Sequence, residues 1–295
     1  MSPTPNTARA VPVLMYHHVS PAAGAVTVSP VHFADQMAML AREGYATLGA
    51  RAFSEYLAGK PVPAKSIVLT FDDGYLDNWV HAHPVLAEHG FTALGFLVSG
   101  WVNSGPVRPN AVDSVDSVTS TSARNLPDLL GHSAAKAAIE AGETDRAIMR
   151  WSEIDAMRQA GTFEFHSHTH THTRWDRVSA NPATKRASLR DDLLQARATL
   201  AQHLGGVSDH LCWPQGNFDT DYVEEAHAAG FRHLYTVEPG TNQRHGNPAR
   251  ILRLDVRDKP ATWLKSRLWV HSRPLVSRLY LKIKEWPAGG ARVPW

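Results

Sequence analysis

The sequence predicts a single-domain α/β protein, with βα units arranged around a mostly parallel sheet or barrel. Three observations carry that prediction. Short apolar, β-branched runs recur along the chain, helical patterns with recognisable ends fall between them, and no linker separates two periodic halves. A chain of 295 residues is also long enough to bury a core that needs no metal or disulfide for stability.

The first run is VPVLMYHHV at 11–19. Ser29-Pro30 then reads as an N-cap with proline at the first helical position, and Gly44 closes that helix. SIVLTF at 66–71 is a strand that runs into Asp72-Asp73-Gly74 and a helix from about Tyr75 to Gly90. After FTALGFLVS the composition turns to Ser, Thr, Val, Pro and Asp without a period from Asn103 to about Arg124. This predicts an irregular insertion over about 103–150, ending in a short helix near Ala134 to Ala141. A helix from Trp151 to Gly161 leads into TFEFHS, and Asn181-Pro182 opens a longer helix that ends near Gly205-Gly206. HLCWP, HLYTV and ILRLDV supply the remaining strands. Residues 1–10 are expected to be disordered, 11–258 to form the domain, and 259–295 to be a basic amphipathic helix and tail.

Composition excludes little. With 30 basic and 28 acidic residues the formal net charge is +2, so no nucleic-acid partner is indicated. Cys212 is the single cysteine, which rules out an intramolecular disulfide framework. The opening MSPTPNTARA has no apolar core behind a basic start, and no stretch approaches 18 uninterrupted apolar residues. A cytoplasmic location is therefore expected, with peripheral contact at the inner membrane the alternative.

The chemistry sits in two segments. Asp72 and Asp73 follow an apolar strand, at the end where parallel sheets build their sites. EFHSHTHTHTRW places His166, His168, His170 and His172 at alternate positions. Extended residues four apart lie about 13 Å apart at roughly 3.3 Å each. Metal ligands sit about 2.0–2.1 Å from their ion, so shared ligation requires the chain to turn after the strand. Two registers fit, His168 with His172 and His166 with His170. Either pair with one aspartate makes a two-histidine, one-carboxylate set with positions open to water and substrate, and the second aspartate is then a candidate base for metal-activated water.

These residues resemble the polysaccharide deacetylases of carbohydrate esterase family four. The resemblance rests on TFDDG at 70–74, S-H-T-x-x-H at 167–172 and Trp-Pro-x-Gly at 213–216. LMYH at 14–17 and WSEI at 151–154 support it. It spans roughly Val11 to Arg257 and is closest to the branch that deacetylates poly-N-acetylglucosamine. It implies a distorted (β/α) barrel of the NodB-homology type and one divalent ion, zinc by default with iron, nickel or cobalt also suited. By the same resemblance Asp73, His168 and His172 are the metal ligands and Asp72 the general base. The backbone N–H of Gln215 is the oxyanion donor, and His170 is solvent-facing or behind the ligands. Trp213, Pro214 and Arg253 are the expected substrate contacts, with a positive charge from Arg253 near the base, or an ordinary salt bridge, as its alternatives, and His17 faces the same mouth.

Two departures stand out. The arginine that usually orients the base two residues before the proline is Cys212, and the late histidine that protonates the leaving amine is absent from RILRLDV. His245 and His271 read as surface histidines. The function implied is removal of N-acetyl groups from an N-acetylated glycan. The alternatives are a deacylase of a lipid-linked amino sugar, peptidoglycan or an O-acetyl ester, and a glycan-binding module with a degenerate site. From Thr262 to Lys284 six basic residues and no acid interleave with Trp and Leu, as in helices that lie on anionic membranes, and Pro274 is expected to kink this segment.

Overall fold

The computed structural model describes residues 7–112 and 126–285. In chain order the elements are β1 (Val13–Tyr16), β2 (His18–Val19), β3 (Thr27–Val28), α1 (Pro30–Arg42), β4 (Ala46–Thr47), α2 (Ala50–Leu57), β5 (Ser66–Phe71), α3 (His83–His89), β6 (Ala93–Leu97), α4 (His132–Glu140), α5 (Trp151–Gln159), β7 (Phe163–Ser167), α6 (Trp175–Val178), α7 (Pro182–Leu204), β8 (His210–Cys212), α8 (Thr220–Ala228), β9 (His233–Tyr235), β10 (Leu254–Asp255), α9 (Ala261–His271) and α10 (Pro274–Glu285).

Local chemistry sets the helix ends. Asn181 accepts the Thr184 N–H at 2.9 Å to cap α7, and Gly205 ends it in the left-handed conformation at φ 72°, which glycine adopts without steric cost. Asp219 caps α8 by accepting the Tyr222 N–H. The expected helix from Tyr75 to Gly90 is two pieces, a π-helical turn at Asn78–Ala82 followed by α3. Such wide turns recur beside functional sites, and here the Asn78 amide donates to the His17 carbonyl at 2.8 Å.

The main sheet has eight strands, all paired in parallel, in the order β10-β1-β5-β6-β7-β8-β9, with β4 on β5. It curls towards closure where Ile251 bridges Tyr235 and, three residues on, Leu254 pairs with Leu14. Alternate strand residues point to opposite faces. Leu14, Tyr16, Leu69, Phe71, Phe163 and Phe165 pack outward on α1, α3, α5 and α9. Val13, Val68, Leu94, Phe96, Cys212 and Tyr235 fill the lumen together with Phe53 and Tyr56 of α2. The result is a distorted (β/α) barrel in one domain. Helix α2, which the sequence patterning did not single out, plugs the end where the strands begin, and Glu164 of β7 accepts the Ala50 N–H at its N-terminus.

At the N-terminus one boundary expectation changes. Residues 1–6 lie outside the described chain, but Ala8 and Ala10 are buried and the Ala8 N–H bonds the Val62 carbonyl, so ordered structure begins before Val11. Of the insertion, 113–125 lie outside the described residues. The rest is tied down by buried Glu153, which accepts both the backbone N–H and the guanidinium of Arg108. The C-terminal segment is two helices that meet at Pro274, and α9 buries Leu264 and Leu268 in the main core.

Candidate active site

The end of β5 and the turn after it deliver both aspartates. Asp72 points into the lumen and accepts a two-pronged salt bridge from Arg253, at 2.7 and 2.8 Å. Arg253 is itself fixed by the Thr236 carbonyl and the Thr70 hydroxyl, and it is 1% exposed. Burial opposes ionisation of Asp72, but the guanidinium outweighs it and holds the carboxyl below its ordinary range. The expectation that Arg253 meets substrate is therefore corrected: it lies behind the base with no route to a sugar. It supplies the positive charge that is missing at position 212, where Cys212 instead sets its sulfur 3.6 Å from Asp72.

Asp73 is held at φ 71°, followed by Gly74 at φ 79°, so the chain doubles back and its carboxylate faces away from Asp72 towards β7. There the histidine segment makes the turn that shared ligation requires. Strand β7 stops at Ser167, Thr169 and His172 adopt φ of 66° and 61°, and the His168 and His172 rings come within 5.0 Å. Buried Asp192 of α7 pins this loop by accepting the N–H groups of His170 and Thr171 and the indole N–H of Trp175.

The two imidazoles then converge. His168 Nε2 and His172 Nε2 stand 3.3 and 3.4 Å from the same Asp73 oxygen, an atom with no hydrogen-bond partner although it is buried. Ligands about 2.0–2.1 Å from one tetrahedral ion stand about 3.3–3.4 Å apart, so the residues present fit a divalent cation. The His168 Nδ1–H donates to the Cys212 carbonyl at 2.8 Å, which aims Nε2 at Asp73; burial opposes protonation, but the Cys212 and Asp73 neighbours outweigh it and raise the His168 pKa well above its ordinary value, so a bound cation would take the place of the Nε2 proton. Burial, opposed by the Asp73 charge, pushes His172 down to about 4, which keeps it neutral as a ligand must be. Asp72, His168 and Cys212 also cluster, but Arg253 already occupies both Asp72 oxygens.

Above this floor opens a cavity of about 470 Å³ lined by His17, Tyr75, Trp101, His132, Arg174 and Gln215, among others. His17 Nε2 is 3.8 Å from Asp72 Oδ2. Gln215, at φ 55°, brings its backbone to the rim after buried Pro214. Trp213 borders the cavity, but its ring is fully buried against Phe218 and Tyr222, which makes it a wall rather than a sugar platform.

The other register is not brought to the aspartates. His166 lies lower in the lumen, bonded to Ser208, and His170 bonds the Ser99 hydroxyl. His245 is exposed. His271 is buried rather than on the surface, bonded to Ser277 where α9 meets α10 and away from the cavity. The sequence reading missed Tyr75, whose phenol lies against Asp73, and His132. His132 reaches the cavity from the insertion and contacts His18, which is paired with buried Asp77 at 2.6 Å. The TFDDGY run held the signal for Tyr75; nothing local marks His132.

The profile of one family, polysaccharide deacetylase, matches residues 59–234. The chain belongs to the polysaccharide deacetylase family. Its relatives include YxkH of Bacillus subtilis (strain 168), which carries a polysaccharide deacetylase name and is 37% identical over 89 residues, 30% of this chain and 32% of that protein. They also include the poly-β-1,6-N-acetyl-D-glucosamine N-deacetylase of Escherichia coli (strain K12), 35% identical over 71 residues, 24% of this chain and 11% of that protein. The matched region thus spans about a third of one curated relative and a tenth of the other. Among solved structures, IcaB from Ammonifex degensii shares the deacetylase fold at a TM-score of 0.67 and 23% identity, covering 90% of this chain and 99% of that one. The deacetylase PplD of Streptococcus pyogenes, solved with acetate, gives 0.67 and 19%, covering 92% and 100%.

Proposed function

We propose that this polysaccharide deacetylase is a metal-dependent hydrolase that removes N-acetyl groups from a poly-N-acetylglucosamine-like glycan. The observation that best supports this is the convergence of two imidazole nitrogens on one unpartnered Asp73 oxygen, next to an ionised Asp72 on the floor of an open cavity. Asp73, His168 and His172 are the proposed ligands, for zinc first, with iron, nickel and cobalt also compatible with this donor set. The chemistry such an ion supplies is Lewis acidity, which acidifies water and polarises an acyl oxygen.

The chain's own residues do the rest. Asp72 takes the proton of the attacking water, and Arg253 keeps it in the ionised form that this needs. The Gln215 backbone N–H, turned to the rim behind Pro214, donates to the acyl oxygen as charge builds there. The proton that Asp72 has taken then returns to the leaving amine, and His17, 3.8 Å from Asp72 on the cavity wall, is the imidazole placed to relay it; burial lowers its pKa against the Asp72 charge, so the ring accepts that proton only to pass it on. The name of the Escherichia coli relative supports a β-1,6-linked N-acetylglucosamine polymer as substrate.

The test is free-amine release from a β-1,6-linked N-acetylglucosamine oligomer, with and without chelator, beside Asp72→Asn. Chelator-sensitive release, reduced by about 10²–10⁴-fold in the variant while its metal content is unchanged, is expected. No release from a protein that still binds metal would discard this substrate in favour of another acylated one or of a binding module.

Peripheral contact with an anionic membrane is the second part of the proposal. Helix α10 exposes Leu275, Leu279 and Ile283, at 80%, 61% and 63%, on one face, and Trp269 of α9 is 53% exposed. Basic Arg273, Arg278 and Lys282 flank them with no acid between Lys259 and Lys284. No described helix is long and apolar enough to cross a membrane, so these residues would lie on its surface.

A further inference from the structure

The insertion brings one side chain to the cavity that the proposed reaction does not use. His132, the first residue of α4, lines the cavity beside Tyr75, and it is half-buried. It is held from behind. Asp77 is 3% exposed, and a carboxylate only accepts: it takes the His18 Nδ1–H at 2.6 Å, the Val19 N–H and the Asn78 amide. His18, 1% exposed and stacked on Tyr75 at 3.6 Å, then sets its Nε2 3.3 Å from His132 Nδ1, with the two imidazole planes 84° apart. The Nδ1 atom of His132 is thus engaged by the wall, and Nε2, across the ring, has no hydrogen-bond partner among the described residues.

We propose that His132 is a substrate-binding residue whose Nε2 holds a free ring hydroxyl of the N-acetylated sugar; the assignment rests on the deacetylase reading above. Burial and the neighbouring His18 lower the His132 pKa, so the ring is neutral at neutral pH. A neutral imidazole has one donor nitrogen and one acceptor, and a hydroxyl, which both donates and accepts, matches Nε2 in either tautomer. Such a ring brings no charge to a carboxylate or phosphate, which leaves the hydroxyl as the better match. Tyr75 locates the contact. Its phenol meets Asp73 and its ring centre lies 6.3 Å from that of His132, so His132 stands one side chain away from the proposed ligands and faces the sugar rather than the acyl group. Each sugar within a β-1,6-linked N-acetylglucosamine chain keeps its 3- and 4-hydroxyls free, whereas a β-1,4 linkage consumes the 4-hydroxyl. Because Asp77 and His18 fix the ring, it cannot turn to another partner when its hydroxyl is missing, and the contact discriminates.

The test compares free-amine release from the β-1,6-linked N-acetylglucosamine oligomer with release from its 3-deoxy and 4-deoxy analogues. Both the unmodified full chain and His132→Ala are assayed, and bound zinc is measured in each. His132→Ala should lower kcat/KM for the parent oligomer by about 3–10-fold, chiefly through KM, with zinc content unchanged. One of the two analogues should slow the unmodified chain by a similar factor and slow His132→Ala no further, since both changes delete the same hydrogen bond. His132 is only half-buried, so the variant leaves the core intact. Equal sensitivity of the two proteins to both analogues would overturn the contact and leave the deacetylase reading standing. If the unmodified chain releases no amine from the parent oligomer, that reading falls and the contact falls with it.

Discussion

The salt bridge between Arg253 and Asp72 decides how the base behaves with pH. Asp72 has a depressed pKa in the folded chain, so the stability its pairing contributes is fully present above the unfolded value of about 4 and is lost only as pH falls through the lower folded value. Arg253→Met removes the opposing charge, and burial alone then raises Asp72. The acid limb of kcat/KM, measured at saturating metal, should move to higher pH, and stability in urea should fall by about 3–5 kcal/mol as a buried carboxylate loses its partner. Arg253→Lys keeps a charge without the fork and should shift the limb less. An unmoved limb in Arg253→Met would show that Asp72 does not titrate there. Residue type and short spacing marked Asp72, Asp73 and the histidine run in the sequence, and the family resemblance chose His168 with His172. For Arg253 the sequence offered a charge near the base or the sugar, or a salt bridge, without choosing, because its partner is 181 residues away and only closure of the barrel brings the two together.

Element boundaries were legible where a cap or a glycine fixed them, as at Ser29-Pro30 and Asn181-Pro182. Alternation alone left two histidine registers open, and what separates them is the left-handed turn at Thr169 and His172, which no threonine-rich run announces by itself. That turn is held from outside. Asp192 is buried on α7 and supplies three acceptor contacts to residues 170, 171 and 175, so α7 works as a brace for the ligand loop. Asp192→Ala should therefore weaken zinc binding at Asp73, His168 and His172 by about 10–100-fold, the usual cost of losing support behind a ligand. The measurement is a zinc titration of Asp192→Ala beside the unmodified chain. Undiminished affinity in a folded variant would make Asp192 a packing residue only.

At the scale of the whole molecule the barrel was legible because each strand run carried its own β-rich signal; α2 was not, because in only eight residues the apolar spacing of Ala50, Phe53 and Leu57 is too short a pattern to stand out, and nothing in it says that this face plugs the lumen. The C-terminal helices divide the same way. Leu264 and Leu268 of α9 belong to the main core, so deleting everything after Asp258 would open the barrel wall and confuse folding with membrane binding. Helix α10 offers the cleaner experiment, since Leu275, Leu279 and Ile283 face outward. A buried leucine contributes roughly 1.5–3 kcal/mol, and each basic residue near an anionic leaflet about 1 kcal/mol. The intact chain should thus co-sediment with vesicles rich in phosphatidylserine and release as salt screens the basic residues. Leu275→Asp with Leu279→Asp should abolish that binding while leaving amine release from a soluble oligomer untouched. If the intact chain ignores anionic vesicles at low salt, the exposed face of α10 belongs to some other contact.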